Sequence, residues 1–113
     1  MMRKLSVLVL VCASLASPAA TAAVSKIDIS SPADGARLDV MEQNKLEYSV
    51  TLGDGADHIH VYVDGTEAAL LRQMQGSYTM ENLAPGKHEV CIKVVNKNHT
   101  PIGVERCIRV GVE

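Results

Sequence analysis

The chain of 113 residues carries 11 basic and 13 acidic residues, four histidines and three cysteines. That length suits one small domain, and the near-balanced charge excludes the electrostatic footprint of a nucleic-acid or anionic-lipid binder. Trp and Phe are absent, so the core must be built from Val, Ile, Leu, Met and Tyr.

Met1-Met2-Arg3-Lys4 is basic, the run from Leu5 to about Leu15 is apolar, and small residues end in Ala20-Thr21-Ala22-Ala23. This order predicts a secretory signal peptide over residues 1–23, cleaved after Ala22 or Ala23. The apolar run is too short to span a bilayer comfortably. Two other readings are a lipoprotein modified at Cys12, against which Val11 stands where a small residue is expected, and an uncleaved anchor. Cleavage would leave one domain over residues 24–113, periplasmic or secreted and free of the membrane. Loss of Arg3 and Lys4 leaves 9 basic against 13 acidic residues, a formal charge of −4.

Lys26 to Ser30 alternates and predicts a first strand. Ser31-Pro32-Ala33-Asp34-Gly35 is turn chemistry, and a short extended piece follows around Arg37-Leu38. Lys45 to Leu52 places Leu46, Tyr48, Val50 and Leu52 on one face, the clearest inward strand. Gly53-Asp54-Gly55-Ala56-Asp57 is a flexible acidic loop. In His58 to Val63, Ile59, Val61 and Val63 face the core, and His58, His60 and Tyr62 the solvent. Asp64-Gly65 is a two-residue hairpin turn, since both residues tolerate positive φ. The return strand runs from Thr66 to about Arg72, with a short helix over Glu67 to Met74 as the competing reading. Across the Asp64-Gly65 hairpin Ala69 falls opposite His60, which leaves room beside the imidazole. Ser77 to Leu83 turns Tyr78 and Met80 inward, and Ala84-Pro85-Gly86 turns the chain again. Six to eight short strands with no long amphipathic helix predict an immunoglobulin-like antiparallel β-sandwich of about seven strands.

With Cys12 in the leader, Cys91 and Cys107 remain, and export favours a disulfide between them. In Lys87 to Val95 the inward set is Val90, Ile92 and Val94. In Val104 to Val112 it is Val104, Ile108, Val110 and Val112. Setting Cys91 opposite Cys107 brings Glu89 to Arg109 and Lys93 to Glu105, two opposite-charge pairs on the solvent face. A one-residue slip destroys that agreement. The same register points Arg106 inward, opposite Ile92.

His58 and His60, at i and i+2, lie roughly 6–7 Å apart at Cα, a chelating distance. In an immunoglobulin-like sandwich the His strand runs antiparallel beside the Cys91 strand, so His99 in the tip Asn98-His99-Thr100-Pro101 approaches both. Asp54 and Asp57 arrive at the same edge. Three imidazoles and a carboxylate suit Zn or Cu, which favour nitrogen ligands. The bland alternative is three solvated histidines on a polar face. His88 lies about 20 Å or more from His99 by strand rise, in the corner Leu83-Ala84-Pro85-Gly86-Lys87-His88, where a structural role is expected. Met41, Met74 and Met80 lack the mutual spacing of a Cu(I) thioether site and read as packing. Asn98-His99-Thr100 fits the glycosylation sequon, relevant only in a eukaryotic source. The sequence contains no phosphate-binding glycine loop, G-x-S-x-G elbow or glycosidase carboxylate pair, and bridged cysteines exclude Cys–His hydrolysis.

D-H-I-H-V-Y-V-D-G, then Y-T-M-E-N-L-A-P-G-K-H-E-V, then V-N-K-N-H-T-P, together resemble small exported bacterial domains of unknown function. Those carry an H-x-H or H-H-H strand, an L-x-P-G-x-H corner and a late H-x-P loop on an immunoglobulin-like sandwich. The resemblance covers roughly Ser31 to Val112. This chain departs from it by the cysteine pair and by a shorter His run. Residues and resemblance together predict a non-enzymatic exported binding module, with His58, His60 and His99 holding Cu or Zn. The alternative is a structural or protein-interaction domain whose outer sheet face contacts a partner.

Overall fold

In a computed structural model of the protein, which describes residues 23–113, the period-two alternation of the sequence becomes eight strands and, among the described residues, no helix. The predicted leader lies outside the described residues, apart from Ala23. β1 (Lys26–Ser31), β3 (Asn44–Thr51) and β6 (Gln75–Met80) form one sheet in the order β1-β3-β6. β2 (Ala36–Leu38), β8 (Pro101–Val112), β7 (Gly86–Val95), β4 (His58–Val63) and β5 (Thr66–Leu71) form the other, in the order β2-β8-β7-β4-β5. The two sheets close face to face as an immunoglobulin-like β-sandwich.

The core is made by the inward parity of each strand. Ile27, Leu46, Tyr48 and Val50 come from the smaller sheet, and Ile59, Val61, Val90, Ile92, Val94, Ile108, Val110 and Val112 from the larger. Each fully buried aliphatic side chain is worth about 1.5–3 kcal/mol of transfer free energy. The bulk that Phe and Trp supply elsewhere comes here from Tyr48, whose hydroxyl donates to the Gln73 carbonyl at 2.9 Å, and from Met80.

β7 and β8 pair in the expected register, with Cys91 opposite Cys107, Glu89 opposite Arg109 and Lys93 opposite Glu105. The cysteines are joined, and Lys93 Nζ lies 3.7 Å from Glu105 Oε2. Arg106 is opposite Ile92 as expected, yet it is exposed rather than inward. Among the described residues β2 pairs only with Val110–Val112, which leaves the β8 edge open at Arg106 so that its long side chain reaches solvent.

Two further features differ from the expectation. β2 and β8 run parallel, because Pro32–Gly35 carry the chain from one sheet to the other rather than folding it into a hairpin. Asp34 anchors that passage by accepting the Arg109 amide at 2.8 Å. The segment after Asp64-Gly65 is the expected return strand and not the competing helix. Asp64 (φ 51°) and Gly65 (φ 81°) form a two-residue turn with both φ positive, which delivers β5 antiparallel to β4. β5 bulges at Ala68, however, so Leu70 rather than Ala69 lies opposite His60.

The loop before β4 is tied rather than free. Gly53 donates to Ser25 Oγ at 2.8 Å, and Asp54 exchanges hydrogen bonds with Ala23 through its backbone and carboxylate. A Cβ on Gly53 would meet the Ala23 carbonyl oxygen at 2.3 Å, so only glycine permits this approach.

Candidate metal centre

Every second residue of β4 enters the core, which sends His58, His60 and Tyr62 to the outer face of the larger sheet. Their neighbours there are Val95, Lys93 and Cys91 of β7. The expectation of a solvated polar face does not hold: His58 is 1% exposed and His60 2%. His60 lies between Leu70 and Lys93 on the flanking strands. Lys93 bends its stem across the face to place Nζ 4.4 Å above the Tyr62 ring.

His99 reaches the same place from the β7–β8 loop. Asn96 shapes that loop, its side-chain oxygen accepting the amides of Asn98 at 2.9 Å and Thr100 at 3.0 Å. His99 takes the left-handed conformation (φ 62°) that this tight turn demands. Its ring is thereby folded back over β4. His58 Nε2 lies 3.0 Å from His60 Nε2 and 3.0 Å from His99 Nδ1, and the third edge, His99 Nδ1 to His60 Nε2, is 3.4 Å. Nitrogens at 2.0–2.1 Å from a tetrahedral ion are about 3.3–3.4 Å apart. The triangle is already close to one face of that tetrahedron.

Two carboxylates stand behind the triangle. Asp57 Oδ2 accepts from His58 Nδ1 at 2.8 Å, which leaves His58 Nε2 without a proton in the neutral ring. That hydrogen bond is also the leading cause holding the Asp57 carboxyl below the usual carboxylate range. Glu67 Oε1 is 3.3 Å from His60 Nδ1, an electrostatic approach without hydrogen-bond geometry, so this buried nitrogen has no hydrogen bond. Burial, the largest influence on His60, lowers its pKa and favours the neutral ring. A ring nitrogen offers one proton or one lone pair, never both. Three such nitrogens cannot all satisfy one another around a triangle. A cation that accepts all three lone pairs satisfies the set, with the backing carboxylates orienting the rings as outer partners.

His58, His60 and His99 are thus brought together, and the expected carboxylate is not among the converging atoms. Asp57 stands behind His58, and Asp54 is engaged with Ala23. His88 is elsewhere, donating from Nδ1 to Asp64 Oδ2 at 2.5 Å and from Nε2 to the Ala84 carbonyl at 2.6 Å. Among the described residues the methionines do not group as thioether ligands: Met41 is 88% exposed, and Met80 is in the core. Glu89 also lies near the two sulfurs, but the disulfide removes their thiolate character.

Glu67 was missed by the sequence reading. The signal for it was diagonal cross-strand adjacency, since Glu67 opposes Tyr62, two residues from His60 on the same face.

No family model matches the chain, and no curated protein does. Among solved structures it is similar to the Clostridium thermocellum CbhA fibronectin(III)-like modules, with a TM-score of 0.64, 16% identity, and coverage of 78% of this chain and 97% of that one. It is also similar to an engineered protein, with a TM-score of 0.54 and 18% identity over 80% of this chain, though only 20% of that chain is covered. At these identities the likeness establishes the fold alone, an immunoglobulin-like sandwich similar to the fibronectin(III)-like modules.

Proposed function

We propose that the protein is an exported, non-catalytic module that binds Zn or Cu through His58, His60 and His99. The observation that carries this reading is the triangle of ring nitrogens at 3.0, 3.0 and 3.4 Å, two of whose histidines are buried and backed by Asp57 and Glu67. Burying imidazoles so that their nitrogens converge without mutual satisfaction is unfavourable unless a ligand completes them. Neutral nitrogen donors suit both ions. The signal-like leader supports a periplasmic or secreted location, where the two cysteines would be oxidised.

Calorimetric titration of the purified protein with Zn and with Cu(II) near neutral pH tests the assignment. One saturable ion per chain is expected. His60→Ala should remove most of the affinity, His99→Ala an intermediate part because its loop is exposed, and His88→Ala almost none. Equal losses for His60→Ala and His88→Ala would place the site elsewhere. Absence of saturable binding to the wild type would favour the alternative, a structural or protein-interaction domain.

A further inference from the structure

Resting on the metal reading above, we propose that the loaded cluster is an open site that takes one small monodentate anion as its fourth ligand. Three histidines supply one face of a tetrahedron. Among the described residues, no fourth His, Cys, Asp or Glu donor lies with them. The two nearby carboxylates lie behind the rings, on the Nδ1 atoms of His58 and His60, and so are turned away from the fourth position. The approach is also one-sided. His58 and His60 are buried while His99 is exposed, so an external ligand reaches the ion past the β7–β8 loop.

Charge selects the class of ligand. Three neutral imidazoles leave the full 2+ charge of the ion uncompensated within its coordination sphere. Of the outer carboxylates, Asp57 has two cations close by on the same rim. Arg72 places Nη1 3.6 Å from Asp57 Oδ2, and exposed Lys97 follows Asn96 in the loop that carries His99. Lys93 is already engaged by Glu105 and the Tyr62 ring. The fourth position therefore faces a field that favours an anion over a neutral donor, and water occupies it when no anion is present.

The test loads the full mature protein with Cu(II) and adds azide, then acetate, as probes. A saturable azide-to-metal charge-transfer band, displaced by acetate, is expected. Arg72→Ala combined with Lys97→Ala should weaken azide binding on the order of fivefold, more than it changes Cu(II) affinity. Lys45→Ala, on the other sheet, should change neither, and circular dichroism reports whether each variant is folded. Cu(II) binding with no azide band would overturn the open-site inference while leaving the three-histidine site intact. Failure to bind Cu(II) and Zn would overturn both.

Discussion

Replacing His60 with leucine separates a ligand set from ordinary core packing. His60 Nδ1 is buried without a hydrogen bond, a burden of about 1–3 kcal/mol for an unsatisfied polar atom. Removing that ring also resolves the triangle. His58 Nε2 and His99 Nδ1, 3.0 Å apart, remain as one acceptor and one donor, which can satisfy each other. Leucine would sit beside Leu70 and the Lys93 stem at a position only 2% exposed. The metal-free variant should therefore be more stable than wild type by about 1–2 kcal/mol, which for a domain of this size raises Tm by roughly 4–8 °C per kcal/mol. With zinc the order should reverse. The wild type gains about 2.7 kcal/mol at a hundredfold excess of ion over Kd, and the variant gains far less. Thermal melts in chelator and in zinc, followed by circular dichroism, read both effects. A His60→Leu protein that melts below wild type in chelator and still shifts upward in zinc would show His60 to be packing rather than a ligand.

Val61→Asp should unfold the domain, because Val61 is completely buried and its carboxylate would be unpaired, whereas Tyr62→Ser should cost far less; equal melting temperatures would reverse the assigned faces of β4. Replacing both Cys91 and Cys107 by serine should cost about 3 kcal/mol in denaturant unfolding, and unchanged stability would deny the disulfide that role. The His88–Asp64 pair predicts a stability window in pH. Its hydrogen bond to Asp64 raises the His88 pKa above 6.5, so that contribution is complete below pH 6.5 and is lost as pH rises through the folded value. The same bond lowers the Asp64 pKa below 3.8, so its contribution is present above pH 3.8 and is lost as pH falls through the folded value. Urea midpoints measured across pH should show this profile flattened in His88→Gln; identical profiles would contradict the pair's role.

The fold was legible where one face of a strand is buried and the other is not. Leu46, Tyr48 and Val50 announced β3, and the charges around Cys91 and Cys107 fixed the β7–β8 register to the residue. Burial of His58 and His60 was not legible, because it depends on what lies over the outer face. That cover includes His99, placed by the Asn96-organised loop, and Leu70, brought opposite His60 by the bulge at Ala68. A bulge leaves alternating sequence unchanged while shifting everything beyond it. The parallel β2–β8 pair was hidden for a similar reason: three residues carry too little pattern to reveal their partner. Convergence of the three histidines followed from topology alone, whereas the backing by Asp57 and Glu67 required side-chain geometry.

X-ray absorption of the zinc-loaded protein at neutral pH reads whether three imidazoles share one ion. A first shell at about 2.0–2.1 Å is expected, with the outer-shell scattering of three imidazoles, one of which disappears in His99→Ala. A shell of oxygen donors alone, or a spectrum unchanged by His60→Ala, would contradict the three-imidazole site.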